Sequence, residues 1–388
     1  VATISLPTAA RTIERYVTGE PLAFPSKAET QGFNRIAYAA THVVADPLAD
    51  IDPWIGTAID WDKTIAFRHY LWDLGLGVAE AMDTAQRGMG LDWPTAKELI
   101  RRVTEASKSR PGALLASGVG TDQLMPGPDV TIDDVIRAYE EQIEAVEQMG
   151  GRLIVMASRA LAAAAKGPDD YAKIYGLILS QVKQPVVIHW LGDMFDPALA
   201  GYWGSADHGA AMNTCLDVLA AHADKIDGIK ISLLSKEKEV MMRRRLPAKV
   251  RMYTGDDFNF PELIEGDEKG YSDALLGIFD AIAPAASVAL ARLGKGDRQG
   301  FQSVLEPTVP LSRHIFKAPT RFYKTGVVFL AWLNGLQDHF VMIGGNESAR
   351  SIQHLAELFR LADQARVLHD PDRAAARMTR LLAVHGLA

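Results

Sequence analysis

The sequence predicts an α/β fold, a (β/α)8 TIM barrel with a helical C-terminal extension. Three observations carry this. Eight short apolar runs alternate with helix-patterned stretches from about residue 35 to residue 277, the pattern of a parallel sheet covered by helices. No glycine-rich dinucleotide fingerprint follows the first run, which argues against a doubly wound sheet. Beyond the eighth run only helical patterning remains, over roughly 110 residues.

In chain order, residues 1 to 33 form a polar lead-in, a hairpin or arm. The first strand is expected at Arg35–Thr41. The segment from Ala45 to Asp62, with five aspartates, two prolines and two tryptophans, is long for a βα loop, and long ordered loops often carry function. Further strands are expected at Gly77–Asp83, Gly112–Val119, Arg152–Ser158, Pro185–Trp190, Ile226–Ser232, Val250–Gly255 and Tyr271–Gly277. Between them, Thr131 to Met149 reads as a helix. Ile132, Val135, Ile136, Tyr139, Ile143 and Val146 recur at helical spacing, and Thr131 with Asp134 makes a capping box. Pro94–Ser107 begins with a proline suited to a first helical turn. Asp169–Val182 and Gly209–Ala223 are two more helices. The barrel is placed at 34–294. The extension, 295–388, is expected to pack on it. The main C-terminal helical stretches are Ala285–Leu293, Gly326–Leu336, Ser348–Ala365 and Asp372–Val384.

Composition narrows the function classes. With 388 residues, 48% of them hydrophobic, the chain can bury the core of one barrel with additions. Net charge is −7 and the basic residues are scattered. The cluster Arg243-Arg244-Arg245, near Lys236 and Lys238, reads as a solvated helix face, so no nucleic-acid partner is expected. A single cysteine, Cys215, leaves neither a disulfide framework nor a cysteine zinc site and fits a reducing cytoplasm. No apolar run approaches the roughly 20 residues that span a bilayer, and Val1–Ala10 lacks the pattern of an export signal. A cytoplasmic protein without a membrane partner is expected.

The segment Ile226-Asp227-Gly228-Ile229-Lys230-Ile231-Ser232 places a lysine in a buried-type strand. Lysine is rarely buried unless paired or working. Desolvation lowers its pKa, and a neutral amine attacks carbonyl carbon. Lys230 is therefore the candidate Schiff-base residue. The plain alternative is a strand-end lysine that reaches water along its stem. Barrel active sites lie where strands end. The polar residues at those ends are His42, Asp83, Thr84, Gly118 to Gln123, Ser158, Arg159, His189, Thr254 to Asp257, Ser272 and Asp273. Each has a plain reading: His189 as a satisfied core histidine, Asp83, Asp256 and Asp257 as helix caps, and Ser158 and Arg159 as loop polar groups.

The run Ile226–Lys230, the turn Met252-Tyr253-Thr254-Gly255-Asp256-Asp257 and the strand Pro185-Val186-Val187-Ile188-His189 resemble the dihydrodipicolinate synthase and N-acetylneuraminate lyase superfamily. The resemblance runs in register from about Arg35 to Gly294, with a weaker echo at Lys324–Leu336. It implies a class I aldolase barrel with Lys230 as the Schiff-base lysine, no cofactor, and a homo-oligomer, dimer or tetramer. Three departures stand out. Where the family carries Gly-Thr-Thr-Gly-Glu to hold a 2-oxo acid carboxylate, this chain has Asp83-Thr84-Ala85-Gln86-Arg87. His189 replaces a proton-relaying tyrosine. Ala157-Ser158-Arg159 replaces a tyrosine-rich turn. The lysine is kept and the pyruvate-specific surroundings are changed.

The expected function is thus a Schiff-base lyase or aldolase acting on a small-molecule carbonyl substrate, a 2-oxo acid or keto sugar derivative. Lys230 is the nucleophile, His189 the proton shuttle, and Thr84 passes a proton or hydrogen-bonds the substrate. Asp83, Ser158, Arg159, His42 and Thr254 bind a polar, hydroxyl-rich substrate. Two other classes remain open. His42, Asp83, His189 and Asp256 are donors of the kind that bind a divalent metal in barrel isomerases and hydrolases. A non-catalytic sugar-binding barrel is the third.

Overall fold

The computed structural model describes residues 1–28 and 32–387. It opens with an antiparallel hairpin of β1 (Thr3–Pro7) and β2 (Ile13–Val17), with Thr3 opposite Val17 and Pro7 opposite Ile13. Eight parallel strands then close into a ring: β3 (Ala37–Ala40), β4 (Gly77–Glu80), β5 (Leu115–Val119), β6 (Leu153–Val155), β7 (Val186–Leu191), β8 (Ile226–Ser232), β9 (Arg251–Thr254) and β10 (Asp273–Leu276). Neighbours in sequence are neighbours in the ring, and β10 closes it against β3 through Ala274 opposite Ala37. This is the (β/α)8 barrel that the alternation predicts.

The intervening helices are α1 (Trp61–Asp73), α2 (Trp93–Ser107), α3 (Ile132–Gln148), α4 (Arg159–Ala164), α5 (Pro168–Gln181), α6 (His208–Ala221), α7 (Lys236–Arg243) and α8 (Phe260–Glu265). Their starts follow local chemistry. Thr131 accepts from Asp134 N–H while the Asp134 carboxylate accepts from Thr131 N–H, the reciprocal box read from the sequence. The Asp92 carboxylate caps α2, with Pro94 in the first turn. Ser158 is the cap of α4, so its run ends as a helix start rather than as strand.

The described residues form two compact units. One comprises 35–41 and 76–276 and contains the whole barrel ring; the other comprises 1–34, 42–75 and 277–388. Within the first, Tyr38, Ala40, Ala79, Ala116, Ile154, Val187, Tyr253 and Leu275 form the interior cluster, one or two from most strands. Successive strand residues face opposite sides, so every position paired with one of these also points inward.

The second unit is built from the hairpin and from α1, α9 (Ile278–Ala281), α10 (Ala283–Gly294), α11 (Arg298–Leu305), α12 (Val309–Ile315), α13 (Tyr323–Leu333), α14 (Ile352–Gln364) and α15 (Pro371–Val384). All eleven residues of α13 are buried, as expected of a helix that is apolar around its circumference. The hairpin is tied to α14: Tyr16 Oη donates to Asp363 Oδ2 at 2.7 Å, and Arg360 donates to Pro7 O at 2.9 Å. Among the described residues no helix is long and apolar enough to cross a membrane.

Candidate active site

Strand parity builds the site. Lys230 on β8 pairs with Tyr253 on β9 and with His189 on β7. Tyr253 belongs to the interior cluster, so all three side chains point into the barrel. Lys230 is 7% exposed and His189 2%. The lysine stem fits because Gly255 carries no side chain. A β-carbon there would stand 2.7 Å from Lys230 Cε and 2.6 Å from Ile231 O, both well inside contact distance.

Burial brings the Lys230 amine down to about 8, against the opposing pull of the Asp257 and Asp83 carboxylates. Burial, and then the Lys230 charge, hold the His189 imidazole well below its ordinary range. His189 Nε2 lies 3.2 Å from Ser232 Oγ. Its Nδ1 is buried and has no hydrogen-bond partner among the described residues.

His189 and Asp83 form part of the wall of a cavity of about 260 Å³, together with Thr121, Met156, Ser158, Arg159, Asp196 and others. That is near the small end of ligand cavities, roughly 300–1,000 Å³. Lys230 is not itself a wall residue; His189, its ladder partner, and the field of Asp83 join it to the cavity. Arg87 also lines the cavity, and all five of its N–H groups are engaged. It donates to Asp122 Oδ2 at 3.0 Å, to Gln142 Oε1 at 2.8 Å, to Ala81 O and Gly118 O at 3.2 Å each, and to Asp122 Oδ1. Burial opposes ionisation of Asp122, but Arg87 outweighs it and keeps the carboxyl low. Arg159 donates from Nε to Asp196 Oδ2. Ser158 Oγ lies 2.5 Å from Thr121 Oγ1 and caps Leu161 N–H, while its own N–H donates to Tyr202 Oη at 3.1 Å.

Residues 4–387 match the family described as Protein of unknown function (DUF993). The chain belongs to this family. No curated protein matches its sequence. Solved structures that share the fold include dihydrodipicolinate synthase from Oceanobacillus iheyensis, at 16% identity over 84% of this chain and 96% of that one, TM-score 0.62. The Acinetobacter baumannii dihydrodipicolinate synthase complexed with pyruvate matches at 15% identity over 85% and 98%, TM-score 0.62. YagE, a prophage protein of the dihydrodipicolinic acid synthase family from E. coli K12 in complex with pyruvate, matches at 13% over 92% and 99%, TM-score 0.63. The resemblance read from the β7, β8 and β9 motifs is thus met at the level of fold.

In this DUF993 chain the expected site residues divide. Asp83, Ser158, Arg159 and His189 share one cavity wall. Thr84 is buried at 1% exposure and is not part of that wall. Thr254 faces the opposite way from Lys230 and Tyr253. Its hydroxyl donates to Glu239 Oε2 on α7 at 2.9 Å and accepts from Asp256 N–H. Alternation along β9 forces this, so Thr254 is corrected from substrate contact to strand–helix tie. His42 belongs to the other compact unit, where Nδ1 meets Asp280 Oδ2 at 2.8 Å and Nε2 meets Gln337 Oε1 at 3.1 Å. Both ring nitrogens are committed, so His42 is corrected to a structural pair with Asp280. Asp256 caps the turn into α8 through the Phe258 and Asn259 N–H groups.

The metal reading needed His42, Asp83, His189 and Asp256 to converge. Among the described residues no three histidine, cysteine or acidic side chains are placed to hold an ion. Beside its polar residues the cavity is also lined by the apolar side chains of Leu124, Met125, Pro126, Leu191 and Leu199. Asp122 and Asp257 lie within the strand-end stretches but are assigned no role in the site by sequence, whereas Asp196 and Ser232 fall outside them. Ser232 and Asp257 carried a signal, two residues from Lys230 in parity and within the Gly-Asp-Asp turn; Asp196 lies in a loop with none.

Proposed function

We propose that the chain is a lyase of the class I aldolase type that forms a Schiff base between Lys230 and a small carbonyl compound. The observation that carries the reading is the inward-facing, nearly buried Lys230, whose amine burial lowers to about 8 beside Asp83 and Asp257. A lysine in that range supplies neutral amine near physiological pH without an external activator.

The chemistry follows in order. The Nζ lone pair adds to the carbonyl carbon, and the nitrogen's proton passes to the carbonyl oxygen to give a carbinolamine. One further proton on that hydroxyl lets it leave as water, and an iminium remains. A substrate hydroxyl one carbon beyond the α-position then gives its proton to a base. The carbon–carbon bond breaks, and its electron pair enters the iminium to form an enamine. Protonation of the enamine carbon and addition of water release the second product and restore the amine. Asp83, in the cavity wall and in the field of Lys230, is the base this reading assigns. His189 acts as a neutral imidazole that hydrogen-bonds substrate oxygen through Nδ1, since burial and Lys230 disfavour its protonated form.

The test is borohydride reduction with a panel of ketones, aldehydes and 2-oxo acids, followed by peptide mass analysis. A reduced adduct on the Lys230 peptide, absent in Lys230→Ala, is the expected result. An adduct spread over surface lysines, or none with any compound, sinks the reading.

A further inference from the structure

The cavity's charges are already spoken for. Arg87 has every N–H group engaged, two of them by Asp122. Arg159 is paired with Asp196. Among the described residues that line the cavity or act on the lysine, the basic side chains are Arg87, Arg159 and Lys230, and the acidic ones are Asp83, Asp122, Asp196 and Asp257. A substrate carboxylate would leave water for a site whose guanidinium groups already carry carboxylate partners. A buried charge without its own partner is costly.

Two further features say what the cavity accepts instead. His189 presents Nδ1 as a buried atom with no partner among the described residues. One such uncharged atom matches one carbonyl or hydroxyl oxygen and does nothing to neutralise an anion. Leu124, Met125, Pro126 and Leu199 also line the cavity. Apolar surface of this kind gains from covering an alkyl substituent, at about 25 cal/mol per Å² buried.

Resting on the Schiff-base reading of Lys230, we propose that this cavity takes an uncharged ketone or aldehyde bearing an apolar substituent, and discriminates against carbonyl compounds that carry a carboxylate. The paired guanidinium groups set the charge preference, the unpartnered imidazole nitrogen receives the oxygen, and the apolar side chains receive the substituent. The Arg159–Asp196 pair is then a specificity element. Removing the Asp196 charge frees a guanidinium for an anion.

The experiment compares 2-oxopentanamide with 2-oxopentanoate, which share a carbon skeleton and differ in charge. Borohydride trapping on the full chain should label Lys230 at least tenfold faster with the amide. Asp196→Asn should narrow that ratio at least fivefold by raising labelling with the acid. In parallel, calorimetry on the same chain measures 2-hydroxypentanamide and 2-hydroxypentanoate, which have no ketone and cannot form an imine. Tighter binding of the amide by tenfold or more is the expected result. Equal or faster labelling by the acid, equal or tighter binding of the hydroxy acid, or binding of neither hydroxy compound overturns the proposal. If calorimetry shows the preference while neither ketone labels Lys230, the charge selectivity stands and the Schiff-base reading alone falls.

Discussion

A β-carbon on Gly255 would stand 2.7 Å from Lys230 Cε. The glycine of the turn after β9 thus holds open the channel that the lysine stem occupies. Ile231 O lies 2.6 Å from the same point, and backbone cannot swing aside as a flexible side chain can. Gly255→Ala should therefore displace Lys230 and cost about 1–3 kcal/mol of stability, the range for overpacked interiors. Urea unfolding measures the stability, and borohydride labelling should drop at least tenfold. Unchanged labelling in a folded variant would show that the stem has another route.

The Lys230 amine should titrate near 8, where ordinary lysines titrate near 10.4. Burial disfavours its charged form, so the neutral amine is present in quantity from pH 8 upwards. Competitive methylation with formaldehyde and cyanoborohydride, read peptide by peptide from pH 6 to 11, should show the Lys230 rate inflecting near 8. An inflection above 10 would mean that Asp83 and Asp257 dominate over burial.

His189→Phe should slow turnover by roughly a hundredfold, the lower range for loss of one preorganised hydrogen bond to the reacting oxygen. Because the imidazole is held neutral by burial and by Lys230, the wild-type rate profile should show no inflection near 6.5. An inflection there that vanishes in His189→Phe would assign the histidine a protonated role.

Acid stability should fall through a histidine in the second unit. His354 stacks on His314, with ring centroids 4.1 Å apart, and burial followed by the charges around it lowers it to about 2. Both His354 ring nitrogens lack partners among the described residues. Below about pH 6.5 the unfolded chain takes up a proton there that the folded chain refuses. The unfolded state then binds more protons, and stability declines as pH falls, by about 1.4 kcal/mol per pH unit for one such site. His354→Phe keeps a stacking ring and removes the proton. Its urea midpoint should drop less than that of the wild type between pH 7 and pH 5.5.

Glu239 works in the opposite direction. Burial pushes its carboxyl up to about 8, against hydrogen bonds from Ser272 at 2.6 Å and Thr254 at 2.9 Å. A raised folded pKa means that the relative stability present below the unfolded value, about 4.3, is lost as pH climbs to 8. Glu239→Gln removes that loss. It should raise the melting temperature at pH 8 more than at pH 5; an equal change at both would indicate a packing effect.

Period and parity explain what the sequence disclosed. Apolar runs located every barrel strand, and Ile226–Ser232 coincides with β8 to the residue. Other runs overshot for local reasons. Ser158 caps a helix, and Tyr271 lies before β10 with the Arg35 guanidinium 3.5 Å from its ring centroid. In the site, nearness to a strand end proved a weaker guide than which face a residue takes. Thr254 is one residue from Tyr253 and therefore on the other side. Asp196 was illegible because it reaches Arg159 from a loop whose course no local pattern sets. His42 ends up with Asp280, 238 positions away, a pairing that sequence spacing does not reveal.

Ring closure between β10 and β3 has a consequence for how the chain must be made. Ala274 meets Ala37 only after everything between them has been synthesised. Until then β3 and β9 each present a row of unpaired N–H and C=O groups, the geometry that templates association between chains. A chain truncated before Asp273 would keep those two rims permanently exposed, and we expect it to aggregate rather than accumulate as a smaller barrel.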